Sequence, residues 1–232
     1  MVKTLVFIHG WASTSDIWQK QKEYFSQNFE VVTPDVSGAK DINEAVHILK
    51  DSLGNKKDYV LIGWSLGWLV ILDSLQSTSL KPKGLLAVNS TAKLTDDGYL
   101  GTGLTDTHLA KMIRDCKRNP QKTFEDFYGS ILTDTGKNIL NSARPKNIEY
   151  DKLIYGLRIL RDCDYREFIK EINIPTLLIT GSKDTICPQE ASLYMHKMIK
   201  GSELKIFDCG HMPFLDKPGE FNAVLENFIK GL

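Results

Sequence analysis

A parallel α/β sheet carrying a helical insertion is predicted by three observations. Short continuous apolar runs, Thr4–Ile8, Tyr59–Ile62 and Thr176–Thr180, read as strands covered on both faces. Segments with helical spacing of apolar residues separate such runs, at the interval that parallel strands need for their crossovers. After Thr91 this rhythm breaks. From there to about Glu167 no strand-like run occurs, and helical patterns are punctuated by Gly101, Gly103, Asn119-Pro120, Gly129 and Arg144-Pro145. The expectation is a mostly parallel sheet of about six strands built from residues 1–91 and 167–232, with 92–166 inserted as a helical cap.

The elements follow in order. The run Thr4–Ile8 ends in His9-Gly10-Trp11, and Ser15–Ser26 reads as an amphipathic helix with Ile17, Trp18, Tyr24 and Phe25. Phe29–Thr33 is a short strand closed by Pro34-Asp35. Asp41-Ile42-Asn43-Glu44 has capping-box spacing, and Ala45, Val46, Leu49 and Leu53 continue one helical face. Tyr59–Ile62 leads into Gly63-Trp64-Ser65-Leu66-Gly67 and a second apolar segment, and Gly84–Asn89 is the next strand. Beyond the insertion come strands at Thr176–Thr180 and Glu203–Asp208. Helices open at Pro188 and Pro218.

Size and composition bound the function. The 232 residues suffice for one sizeable core, and 42% hydrophobic with 25% charged residues describes an ordinary globular chain. Twenty-nine basic and 29 acidic residues balance, so no net field draws the whole molecule to nucleic acid or to a membrane surface. No stretch is long and apolar enough to span a bilayer, and Met1-Val2-Lys3 runs directly into strand-like sequence. A cytoplasmic monomer without nucleic-acid or membrane partners is expected. Cys116, Cys163, Cys187 and Cys209 lack metal-type spacing and read as reduced thiols.

The pentapeptide Gly63–Gly67 carries the chemistry. Strand, sharp turn and helix place Ser65 at the tip of the turn, with small neighbours permitting strained backbone and the helix N-terminus favouring negative charge. A serine hydroxyl needs a base, and the base needs an acid to hold its tautomer. Asp184 and His211 each follow a strand, beyond the carboxyl ends where an open α/β sheet forms its crevice. The chain order Ser65, Asp184, His211 fits that assignment. Asp208 is the alternative acid, read here as a loop residue; His9 suits loop architecture, Asp16 and Asp35 suit caps or turns, and His47, His108 and His196 fall in helices. Backbone N–H groups of Leu66 and Trp11 are the candidate donors for the carbonyl oxygen.

These pieces, with Gly181-Ser182-Lys183-Asp184 and Gly210-His211-Met212-Pro213-Phe214, resemble the α/β-hydrolase superfamily from end to end. Within it the chain resembles the pimeloyl-[acyl-carrier protein] methyl ester esterases of biotin synthesis. The resemblance implies a serine carboxylesterase with no metal or organic cofactor, acting on an acyl ester presented by an acidic acyl-carrier protein. Basic cap residues would then grip the carrier: Lys111, Arg114, Lys117, Arg118 and Lys122. Phe124, Phe127 and Tyr128, with Ile131 and Leu132, are candidates to line the acyl pocket, with ordinary packing inside the cap as the default reading of each. Other esterases and lactonases share the scaffold, as do hydrolase-fold binding proteins that do not turn over.

Three departures stand out. Trp68 occupies the place where the family usually has a further glycine, so its indole threatens to obstruct the elbow. The segment Pro34–Lys40 is a shortened glycine-rich loop. The chain also starts at what would be the third strand of the full sheet.

Overall fold

Strand β1 (Thr4–Ile8) lies at the point from which the sheet grows in both directions. The computed structural model describes residues 1–100, 104–131 and 149–232. Gly101, Gly103, Leu132, Arg144 and Pro145 lie outside the described residues. Six strands pair in the order β2-β1-β3-β4-β5-β6, with β2 Glu30–Val32, β3 Tyr59–Trp64, β4 Gly84–Val88, β5 Thr176–Gly181 and β6 Glu203–Phe207. Every pairing is parallel. Strands β1, β3, β4 and β5 are buried along their whole length, which is why they read as unbroken apolar runs. The edge strands β2 and β6 are partly exposed, and β6 carries Glu203 and Lys205 on its open side.

The helices follow the crossovers. A 3₁₀ turn at Ser15–Trp18 leads into α1 (Gln19–Phe25), so the predicted single helix begins tighter than an α-helix. Helix α2 (Ile42–Leu53) starts with its capping box: Asp41 Oδ1 accepts from the Glu44 N–H at 2.9 Å, and Glu44 Oε2 accepts from Lys40 N–H at 2.9 Å. Helix α3 (Leu66–Ser77) is buried from Leu66 through Leu72, the all-round apolar pattern of a helix within the core. Between β4 and β5 come α4 (Asp106–Arg118), α5 (Pro120–Ile131) and α6 (Leu153–Asp162). Helix α6 packs on α3, α4 packs on α6, and α5 packs on α4. Helix α7 (Gln189–Met198), a single turn α8 (Pro213–Asp216) and α9 (Pro218–Lys230) complete the chain. An aromatic cluster of Phe7, Trp18, Phe25, Phe214 and Phe221 fixes α1, α8 and α9 against β1.

The topology positions the site. From β1 the chain builds β2 on one side and then returns to build β3 on the other, so the carboxyl ends of β1 and β3 meet at the reversal. Ile8 is in register with Gly63, which sets His9-Gly10 beside Trp64-Ser65. The approach is close enough to require glycine: a Cβ on Gly67 would stand 2.3 Å from the Ile8 carbonyl oxygen, and one on Gly63 2.6 Å from the Trp68 nitrogen.

Trp68 does not obstruct the turn. Its side chain is fully buried and is absent from the walls of the cavity that holds Ser65. Its indole Nε1 has no hydrogen-bond partner among the described residues, so the ring contributes by packing alone. Trp68→Gly is therefore expected to cost about 4 kcal/mol, as a large core truncation, lowering the melting temperature by roughly 10 °C without raising turnover. Calorimetry beside an activity assay checks this; faster turnover with an unchanged melting point would mean that the indole does crowd the site.

Candidate active site

Among the described residues, three other than glycine adopt left-handed backbone, Ala12 (φ 57°), Ser65 (φ 54°) and Asn89 (φ 41°), and all three follow carboxyl ends of strands around one crevice. Such conformations cost of order 1–3 kcal/mol each and persist where the surroundings fix them. At Ser65 the fixing groups are explicit. Its N–H donates to the Val88 carbonyl at 3.0 Å, and its carbonyl accepts from Trp68 N–H at 3.0 Å and from Ser90 Oγ at 2.8 Å. The elbow is thus tied to β4 on one side and α3 on the other. Neither the Leu66 N–H, at the start of α3, nor the Trp11 N–H, in the loop after β1, has an acceptor among the backbone bonds of the described residues.

Asp184 and His211 are brought together. His211 Nδ1 lies 2.7 Å from Asp184 Oδ2, with the two side chains 1% and 0% exposed. Asp184 Oδ2 also accepts from Asn89 Nδ2 at 2.6 Å, and Oδ1 accepts from the N–H groups of Ile186 at 2.8 Å and Cys187 at 3.1 Å. Four donors on one carboxylate hold it as an acceptor. His211 Nδ1 must then carry its proton, leaving Nε2 as the basic nitrogen. That Nε2 is buried with no hydrogen-bond partner among the described residues, so the structure does not close a Ser65–His211 hydrogen bond. Contacts of this kind often tighten only when substrate is bound.

Two residues at the site were missed by sequence reasoning. Asn89 ends β4 and ties three strand ends together: besides Asp184, it donates to the Gly210 carbonyl at 3.0 Å and accepts from Gly181 N–H at 3.0 Å. The Gly181 contact fixes which way the amide faces, so the NH₂ group points at Asp184. Trp64, one of the two variable residues of the pentapeptide, donates its indole N–H to the His211 carbonyl at 2.9 Å and packs against Phe214. An Asn at a strand end and a Trp in a motif carry no signal of these long-range partners.

The other expected residues separate into those at the crevice and those away from it. Trp11 borders it, its indole N–H donating to the Leu153 carbonyl at 2.8 Å and its ring meeting Phe127 edge-on at 4.7 Å. Phe127 shares a cavity with Ser65, together with Leu104, Leu109, Met112 and Leu157. Phe124 and Tyr128 do not: they stack on each other at 4.5 Å, with Phe124 edge-on to Tyr150 at 5.6 Å, so they are core of the inserted helices rather than cavity wall. Asp208 is exposed and paired with Lys183 at 2.7 Å, which removes it as the alternative acid. His9 is buried at the β1 end; its Nε2 accepts from Val36 N–H at 3.0 Å and its Nδ1 meets the Gly10 carbonyl at 2.8 Å, which joins two loops. His47, His108 and His196 are exposed.

The five basic residues are all exposed on α4 and α5. Lys111 and Lys122 are committed to their own helices, to Asp115 at 2.6 Å and Asp126 at 2.8 Å. Among the described residues, Arg114, Lys117 and Arg118 carry no ion pair.

Asp184, Cys187 and His211 also form a grouping of metal-ligand type, their donor atoms within 4.8 Å of one another. Those donors are already committed, since both Asp184 oxygens and His211 Nδ1 are hydrogen-bonded and burial pushes the Cys187 thiol well above the ordinary thiol range. The arrangement fits an acid–base pair better than a metal centre. All four cysteines are buried and free.

A strained serine at a strand–helix turn, two unengaged N–H groups beside it and a buried Asp–His pair define a hydrolase of the α/β type. The chain belongs to the alpha/beta hydrolase fold family, whose model matches residues 3–218. Among curated relatives it is 27% identical over 232 residues to the pimeloyl-[acyl-carrier protein] methyl ester esterase of Legionella pneumophila (strain Corby), covering 97% of this chain and 95% of that one. It is 30% identical over 244 residues to the protein of the same name from Wigglesworthia glossinidia brevipalpis, covering 97% and 93%. The solved esterase EaEST from Exiguobacterium antarcticum superposes with a TM-score of 0.86 at 23% identity, over 98% of this chain and 92% of its own. No helix among the described residues is long and apolar enough to cross a membrane.

Proposed function

We propose that the protein is a serine carboxylesterase that hydrolyses the methyl ester of pimeloyl-[acyl-carrier protein], freeing the pimeloyl carboxylate for biotin synthesis. The observation that carries this reading is the near-complete span of the relatives bearing that name, combined with an elbow serine and a buried Asp–His pair at one crevice. Ser65 Oγ attacks the ester carbonyl carbon as His211 Nε2 takes its proton. The carbonyl oxygen, now negative, receives the N–H groups of Trp11 and Leu66, each such donor being worth about 3 kcal/mol in reactions of this kind. The bond to the methoxy oxygen breaks as Nε2 returns the proton, and methanol leaves. Water then attacks the acyl-enzyme through the same base, and Ser65 is regenerated. No cofactor enters this sequence.

The acyl chain lies in the apolar cavity beside Ser65, under α4 and α5. As it stands that cavity has a volume of about 20 Å³, room for a water-sized molecule, so the outer helices must part to admit the chain. Arg114, Lys117 and Arg118 on α4 provide the free positive charge for an acidic carrier. Charge reversal at Arg114 and Arg118 is expected to lower kcat/KM for the carrier-linked methyl ester by at least about 10-fold, most strongly at low salt, and to spare methyl butyrate. Equal losses on both substrates would remove the docking face from the account, and hydrolysis of methyl butyrate without hydrolysis of the carrier ester would leave a general esterase.

A further inference from the structure

Strand β6 closes the sheet beyond β5, and its outer edge is left open to pairing. Edges are commonly blunted by proline, a bulge or repeated lysine. Here Glu203–Phe207 is regular strand without proline, and it carries one charge of each sign. Glu203 and Lys205 are both exposed, and among the described residues neither has an ion partner. Apolar groups gather at the same edge. Of the five large apolar side chains exposed among the described residues, three surround β6. Ile206 is on the strand itself and 48% exposed, and Leu193 is on α7, which packs on β6. Leu232 lines a groove of about 350 Å³ between β6 and the end of α9, together with Glu203, Lys205 and Phe228.

The backbone fixes which groups of this edge are available. Ser182 N–H donates to the Phe207 carbonyl at 2.8 Å, so the main-chain groups of Phe207 turn toward β5. Successive residues of a strand alternate, so those of Lys205 and Glu203 turn the same way and those of Leu204 and Ile206 face out.

We propose that β6 is a dimer edge, pairing antiparallel with β6 of a second copy of this chain about a two-fold axis at Leu204. The position of the axis decides which residues meet. At Glu203 or at Lys205 it sets like charges opposite each other, and at Ile206 it sets Lys205 against Phe207. At Leu204 it sets Glu203 of each copy against Lys205 of the other, at the closer, non-hydrogen-bonded positions of the ladder. The same axis lets the outward N–H and C=O of Leu204 bond to their counterparts. Charge and hydrogen-bond phase thus select one register, and an isologous contact closes at two subunits. The dimer departs from the monomer expected from the sequence. Leu204 lies toward the amino end of β6, away from the crevice at the carboxyl ends, so the reaction centre stays open and the inference does not depend on the esterase reading.

Sedimentation equilibrium over a dilution series tests this. The wild type is expected to show a monomer–dimer equilibrium. Glu203→Lys or Lys205→Glu alone should raise the dissociation constant by at least about 10-fold, because two attractive cross-strand pairs become repulsive. The double variant E203K/K205E should restore it, and thermal melting of the same samples checks that each variant is folded. Cross-linking locates the axis. Leu204→Cys would meet its own copy at about 5.5 Å between Cα atoms, within disulfide reach, and should give a covalent dimer on mild oxidation. Glu203→Cys would face Lys205 and should not; the four native cysteines are buried. A wild type monomeric throughout the series, a double variant that fails to recover, or Glu203→Cys cross-linking as readily as Leu204→Cys would overturn the dimer edge. Assembly beyond the dimer would overturn it as well, since that points to open-ended pairing of β6 with β2 of the next copy.

Discussion

Ser65→Ala is expected to reduce hydrolysis of every ester by roughly 10⁶-fold, the scale on which loss of a nucleophile acts in triad enzymes. The fold should be untouched. Ser65 Oγ makes no hydrogen bond among the described residues, and alanine meets the same left-handed penalty at φ 54°, so stability should stay within about 0.5 kcal/mol of the wild type. Activity and thermal melting on the same preparation check both halves. Retained hydrolysis by the alanine variant would show that the elbow is not the reacting centre, and a large fall in melting temperature would show that the hydroxyl has a structural partner.

Asp184→Asn should cost roughly 10⁴-fold in kcat, the scale seen when the base of such a triad is left in the wrong tautomer. The physical reason is local. Both carboxylate oxygens act only as acceptors, Oδ2 for His211 and Asn89 and Oδ1 for two backbone N–H groups. An amide must turn its NH₂ against one of these donor pairs whichever way it faces. Relief comes if His211 gives up its Nδ1 proton to Nε2, and the base is lost. Asn89→Gly tests the same cradle more gently, because glycine accepts the φ of 41° and only the amide is removed. As a positioning residue Asn89 should affect kcat, by roughly 10²-fold from a misplaced acid–base pair, and leave KM nearly unchanged. The low-field proton resonance of the His211–Asp184 bond should weaken in parallel. A rise in KM with kcat held would assign Asn89 to substrate binding or general packing instead.

The sheet was legible because a strand buried on both faces must be continuously apolar, and the order of such runs fixes a parallel α/β arrangement. Ser65, Asp184 and His211 were legible as strand-end residues, since the topology collects strand ends at one crevice. What escaped depends on partners far away in sequence. Asn89 joins β4 to the ends of β5 and β6, and Trp64 holds the His211 loop, yet each reads locally as the close of a strand. Phe124 and Tyr128 were read as apolar cap residues and are buried as such, but apolar character alone does not say whether a buried ring meets the cap core or the cavity beside Ser65. Trp68 was read against a family habit, whereas the close backbone approach falls at Gly63 and Gly67. The pairing of Lys111 and Lys122 with acids four residues on was available from spacing, and it leaves α4 and α5 with fewer free charges than their composition suggests.

The most direct test of the account is a single turnover of carrier-linked pimeloyl methyl ester with enzyme in excess, followed by intact mass measurement of the carrier and assay of methanol. The expected result is one methanol released for each carrier, a new free carboxylate at the end of a chain still held by its thioester, and no reaction with Ser65→Ala. Cleavage at the thioester in place of the methyl ester, or methanol release that survives the loss of Ser65, would contradict it.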